Sequence, residues 1–358
     1  MLDFDLHAQR IKLARALDVD EAALPSLAPL RAGELQELRA CVTEAIYARH
    51  RDRFQRLARL SALVPAGLSA TLAERALGSE LTAGVTCEMD PRRAAKVSHK
   101  LSPRFLAELS THLDPERAET VLAAIAPAVI VDTARELTTR REYITLARFV
   151  ASLADETLAE VMRAIDDDVA FHQIGLLIER RDRLDRLLEL LPDARRRGML
   201  ATAERTGTWP QTLALVGHLG DRSKGVMGDA AVSLGLPVLE TLLAVTREHG
   251  LWGPLLTTIA NMRPENRDVV VAMPGLQEPD TLRELLCAVS RERLWPTLAR
   301  VWGAAPQETL ERGADVLLAR RELLTELLAH AESLPELDAM LARMPPALRR
   351  QLEALAAG

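Results

Sequence analysis

Aromatic side chains are scarce in this 358-residue chain, at 3% of positions: four Trp, two Tyr and five Phe. With β-branched residues also sparse, the composition works against a strand-rich fold. Cysteine is scarcer still. Cys41, Cys87 and Cys287 lie far apart, are odd in number and form no CxxC pair, so no disulfide framework is expected and a reducing compartment fits. No window approaches eighteen uncharged apolar residues, which excludes a membrane-spanning helix. The opening MLDFDLHAQRIKLARALDVD is charged from its third residue and has no apolar core of the kind a signal peptide needs. A cytoplasmic protein is the expectation. A basic surplus is missing too: the formal net charge is −6 and the pI 5.9, a balance that disfavours nucleic acid as a partner. The basic clusters Arg140-Arg141, Arg180-Arg181 and Arg195-Arg196-Arg197 all have carboxylates nearby and read as solvated helix faces.

Catalytic motifs are equally wanting. The eight histidines (His7, His50, His99, His112, His172, His218, His249 and His330) show no HxxxH or HExxH spacing, and no GxSxG elbow occurs. The stretch GDRSKGVMG, residues 220–228, holds Lys224 but not the P-loop order, and reads as an inter-helix turn. Asp166-Asp167-Asp168 is the best metal candidate by composition. Consecutive carboxylates point in different directions, however, and capping of the following helix explains the triplet more simply. No catalytic residue, metal ligand or cofactor motif is assigned.

What the chain has in plenty is apolar, helix-favouring sequence: 48% hydrophobic, dominated by Leu, Ala, Arg and Glu. At this length it predicts two or three domains or one elongated repeat array. From Asp90 the array reading gains detail. Pro91, Pro103, Pro115 and Pro127 recur every twelve residues, the first three behind Asp90, Ser102 and Asp114. Asp or Ser at the N-cap accepts bonds from otherwise unpaired N–H groups, and proline at the first helical position gives up no bond. The same prolines stop the preceding helix. The spacing predicts helices of nine or ten residues with tight turns. Phe105, Leu106, Leu109 and Leu113, then Ala118, Val121, Leu122 and Ile125, then Val129, Ile130, Ala134 and Leu137, form apolar stripes at helical period. Helices so short must bury those stripes on their neighbours.

A longer period follows. Trp209, Trp252 and Trp295 stand 43 residues apart in TWPQTLALV, LWGPLLTTI and LWPTLARVW, with Leu239 matching Leu282, and Leu242, Leu285 and Leu328 in register. Each unit reads as helix–turn–helix of HEAT or armadillo length, and a last, shorter unit from about Leu337 reads as a cap. The first ninety residues are less regular, with helices expected over 5–18 and 33–63 and short pieces near 68–77 and 81–88. The expected organisation is 1–89, a helical region; 90–207, a short-helix superhelix; and 208–358, the 43-residue repeats. With no Ser/Gly-rich linker between them, one continuous body is expected. The fold class is all-α, a right-handed α-solenoid.

The stretch LSPRFLAELSTHLDPERAETVLAAIAP, residues 101–127, resembles the N-terminal cytosolic domain of MgtE-type magnesium transporters, itself a superhelix of short helices with recurring L-x-P and L-D-P-E-R-A punctuation. The resemblance covers about residues 90–200. Nothing here corresponds to the nucleotide-binding modules and pore of those transporters. It therefore implies an interaction or regulatory superhelix and does not imply magnesium transport.

The tryptophan ladder, Trp209, Trp252 and Trp295, admits two roles. The rings pack between repeats, a problem every repeat must solve alike, or they line a groove and grip a partner. The leading functional expectation is a non-catalytic scaffold or adaptor that binds another protein through a solenoid surface. A second is a binder of a small apolar or lipid-like molecule within the curve. The weakest is a helical-repeat enzyme acting on nucleic acid, which the acidic balance opposes.

Overall fold

The computed structural model describes residues 3–24, 27, 29–150, 152–303, 305–331 and 335–356. Among these residues the regular elements are all helical, and none is a strand. No helix among them is long and apolar enough to cross a membrane. By internal contacts the chain divides into two compact units, Met1–Arg183 and Leu184–Gly358. The change of sequence period expected near 192–208 thus falls inside the second unit.

In the first unit the helices Asp3–Ala16 and Ala32–Ala62 pack on each other. The longer one has only Leu35 and Ala58 fully buried, so most of its surface is wet. Ala66–Leu72 runs into a π-helical turn, Ala73–Leu77, which ends at Gly78 with φ of 77°, a left-handed conformation that favours glycine. Gly78–Cys87 follows.

The proline-punctuated segment then forms as its caps direct. Asp90 accepts from the Arg93 N–H at 3.0 Å and Ser102 from the Phe105 N–H at 3.3 Å, opening Pro91–Ser98 and Pro103–His112. The third helix departs from the expected length. Residues 115–118 form a turn, and α-helix runs only over Glu119–Ala124. Asp114 accounts for this: it takes the Glu116 N–H at 3.0 Å and the Arg117 Nε at 3.2 Å, and a side chain that competes for backbone donors loosens a helix start. Pro127–Thr139 completes the set. Phe105, Leu109, Leu113, Ala118 and Leu122 meet Phe149, Ala73 and Ala83 in one buried cluster.

In the second unit the 43-residue period is carried by three helices rather than the two expected. Fourteen-residue helices begin at Asp193, Leu236 and Pro279, tryptophan-led helices at Trp209, Trp252 and Trp295, and third helices at Asp221, Pro264 and Gln307. Each tryptophan-led helix packs on the next one in sequence. The link into each is also periodic: Gly207, Gly250 and Arg293 all take left-handed φ, of 66°, 65° and 57°. The stretch 220–228 is not a turn but most of the helix Asp221–Val232. Its glycines serve a close helix crossing, since a Cβ on Gly225 would stand 2.0 Å from the Asn261 carbonyl oxygen. Leu239, Leu242, Leu282 and Leu285 are buried, while the Leu328 side chain lies outside the described residues.

Candidate functional site

The three register tryptophans are the first residues of their helices and are buried, with Trp209, Trp252 and Trp295 only 2%, 4% and 0% exposed. They do not form an open ladder. Trp209 donates from Nε1 to Glu204 Oε2 at 2.5 Å, and Glu204 Oε1 accepts from Thr241 at 3.2 Å. Trp209 borders an apolar void of about 60 Å3, and Trp252 borders another of about 30 Å3 with Trp302. Both are well below the roughly 150 Å3 that accommodates a benzene ring. Neither is a ready chamber for a lipid-like molecule.

The other residues singled out from the sequence go to structural places. Asp167 caps the helix Asp168–Leu177, accepting from the Val169 and Ala170 N–H groups at 2.9 and 3.0 Å. His172, in the same helix, is 3% exposed, and burial pushes its pKa down to about 4. Phe149 is buried and Tyr143 half-buried.

A larger cavity is a polar cleft of about 420 Å3 in the first unit. Its walls come from four separate segments. Gln36, Arg39, Ala40, Thr43 and Glu44 line up along Ala32–Ala62, where steps of three and four residues share a helix face. The loosened turn supplies Asp114 to Arg117. Helix Tyr143–Val150 supplies Ala147 and Arg148, with Ser152 beyond it, and the strand-like exit from Asp168–Leu177 supplies Glu179 and Arg180.

Most of these charges are already matched. Arg39 sets its NH2 group against both Glu179 oxygens, at 2.8 and 2.7 Å. Lys12 adds a 2.9 Å bond to Glu179 and Gln9 one of 3.1 Å. Burial alone would raise the Glu179 pKa, but Lys12 and Arg39 hold it below the usual carboxylate value. Arg117 bonds Asp114 and Glu44, and its guanidinium lies 4.2 Å above the Tyr47 ring. Tyr47 in turn donates to Glu88 at 2.7 Å, beside bonds to Glu88 from Arg51 and Gln55. Arg180 turns to Asp182 through two bonds, of 3.0 and 2.8 Å.

Arg148 differs. It is half-buried, and no hydrogen bond or ion pair to it is found among the described residues. Desolvation lowers its pKa from the usual arginine value; Asp114 and Glu179 oppose that shift, while Arg39 and Arg15 add to it. Chemically the cleft offers preorganised donors. The neighbouring Cys87 thiol, pushed up to about 12 by burial, stays protonated at neutral pH and is a poor nucleophile.

Sequence reading did not find this cleft. One signal was present: Arg148 has Ile144, Thr145, Ala151 and Ser152 at the positions one helical turn away, with no carboxylate among them. Other helix arginines here do have one, as in Arg140–Glu136, Arg196–Asp193 and Arg312–Glu308, but Arg39 and several more do not, so the signal is weak. Compared with protein-family models, with curated proteins and with solved structures, the chain matches none.

Proposed function

We propose that this chain is a non-catalytic interaction protein of the cytoplasm, and that it engages a partner protein through the cleft of its first unit. Each unit is read as an α-solenoid of short helices, right-handed, with about residues 90–200 like the MgtE N-terminal domain and residues 208–358 as HEAT-like 43-residue repeats. The observation that carries the reading is the preformed cleft of about 420 Å3, whose charged walls are held in place by their own ion pairs. Preorganised side chains lose little freedom on binding, which favours recognition. The regular helix spacing of the second unit and the close stacking of its tryptophan-led helices support the repeat reading.

Ala40 tests the proposal because it is exposed and lines the cleft. Ala40→Trp fills the space without touching the core. Affinity capture from the native host, with wild type and variant compared by mass spectrometry, should show specific proteins on the wild type that the variant loses. Identical sets on both would remove the cleft from the interaction.

A further inference from the structure

Ion pairing in the cleft leaves one cation over. The lining holds four arginines (Arg39, Arg117, Arg148 and Arg180) and four carboxylates (Glu44, Asp114, Glu116 and Glu179). Arg39 is taken by Glu179, Arg117 by Asp114 and Glu44, and Arg180 by Asp182 outside the lining. The carboxylates whose fields reach Arg148, Asp114 and Glu179, are therefore already engaged by other donors. Glu116 is exposed at the rim.

Arg148 is half-buried and has no hydrogen-bonded carboxylate of its own, so part of its desolvation is unanswered and adds nothing to the fold. A ligand that brings an anionic group gains a desolvated, charge-assisted bond. Asp114 and Glu179 lie close enough to oppose a second negative charge, so a dianion is disfavoured there. A planar carboxylate, singly charged, matches the forked donors of a guanidinium. Gln36, Thr43 and Ser152 add neutral polar groups to the walls.

We propose that Arg148 is the recognition residue of the cleft and that it binds one carboxylate, carried by an acidic residue of a peptide segment or by a small free carboxylic acid. The inference rests on the cleft being the contact surface proposed above, and it names the chemistry that surface reads.

The test uses the full chain and four probes: an N-acetylated, C-amidated pentapeptide with one central Glu, its Gln counterpart, butyrate and inorganic phosphate, each titrated by calorimetry. A carboxylate probe should bind, the Gln peptide should not, and phosphate should bind at least about tenfold more weakly. Binding of the Glu peptide assigns a peptide source, and binding of butyrate alone assigns a free acid. Arg148→Met should abolish carboxylate binding and, with no ligand present, raise Tm by about 2–4 °C, because it removes an unanswered charge without orphaning a carboxylate. A merely structural arginine would lower Tm instead. Arg148→Lys keeps the charge without the fork, should bind about tenfold more weakly, and carries the test if the Met variant does not fold. The proposal is overturned by tighter binding of phosphate, by no binding of either carboxylate probe, by unchanged binding in Arg148→Met or Arg148→Lys, or by a lower Tm in Arg148→Met. In each of those cases the Ala40→Trp capture experiment still judges separately whether the cleft meets a protein.

Discussion

The two units are made of the same material, short helices rich in Leu and Ala, yet one holds a polar, charged cleft of about 420 Å3 where the described residues of the other enclose apolar voids of about 60 and 30 Å3. The difference follows from regularity. In the second unit each tryptophan-led helix meets an equivalent neighbour 43 residues on, so one packing solution is repeated and little space is left. In the first unit a long, mostly exposed helix, Ala32–Ala62, meets short elements of unequal length, among them a six-residue helix loosened at Asp114. Unequal elements cannot close on one another everywhere. The gap fills with charge because its walls are the wet faces of those elements.

The largest effect should come from emptying the dry side. Trp295→Ala removes a fully buried ring and should cost about 3–5 kcal/mol. All four tryptophans, Trp209, Trp252, Trp295 and Trp302, belong to the second unit, so tryptophan fluorescence during denaturation follows that unit alone. Carboxylate binding in the first unit should survive; its loss would break the separation drawn between the units.

A pH effect of similar size should be confined to the first unit. His172 is buried neutral, with a pKa of about 4 against an ordinary 6.5. The unfolded chain therefore binds a proton that the folded one refuses between those values, and stability falls as pH drops from about 6.5 to 4, by on the order of 3 kcal/mol. His172→Phe, if it packs, should flatten this part of a pH–stability curve followed by far-UV circular dichroism. The tryptophan-reported transition should keep its pH dependence. A curve already flat in wild type over that window would show that His172 protonates freely.

The smallest effect concerns the links of the 43-residue period. Arg293 takes at φ of 57° the place that Gly207 and Gly250 take at 66° and 65°. Only glycine adopts that region without a steric cost, so Arg293→Gly should stabilise and Gly250→Ala destabilise, each by about 1 kcal/mol. Equal signs for the two, read from denaturant midpoints, would mean that the links are not equivalent.

Local features were readable in advance. The helix starts at Pro91 and Pro103 follow from proline and its capping neighbour, that at Pro127 from proline alone, and the period that places Trp209, Trp252 and Trp295 at helix starts follows from spacing alone. Two readings needed correction for physical reasons. Residues 220–228 looked like a turn because glycine is a helix breaker in isolation, but Gly225 is required where two helices cross too closely for a Cβ. The 43-residue unit looked two-helical because its third helix carries no tryptophan to mark it.

The sequence by itself determined that the chain is helical, where many of its helices begin and stop, and the 43-residue spacing of Trp209, Trp252 and Trp295, because caps, prolines and apolar periods act within a few residues. Only the tertiary structure shows that the three tryptophan rings are buried and where the charged cleft lies. Burial of the three rings depends on neighbours a repeat away. The cleft depends on contacts such as Arg39 with Glu179, 140 positions apart in the chain, and on Arg148 finding no such partner. Charge matching across those distances has no period and leaves no motif.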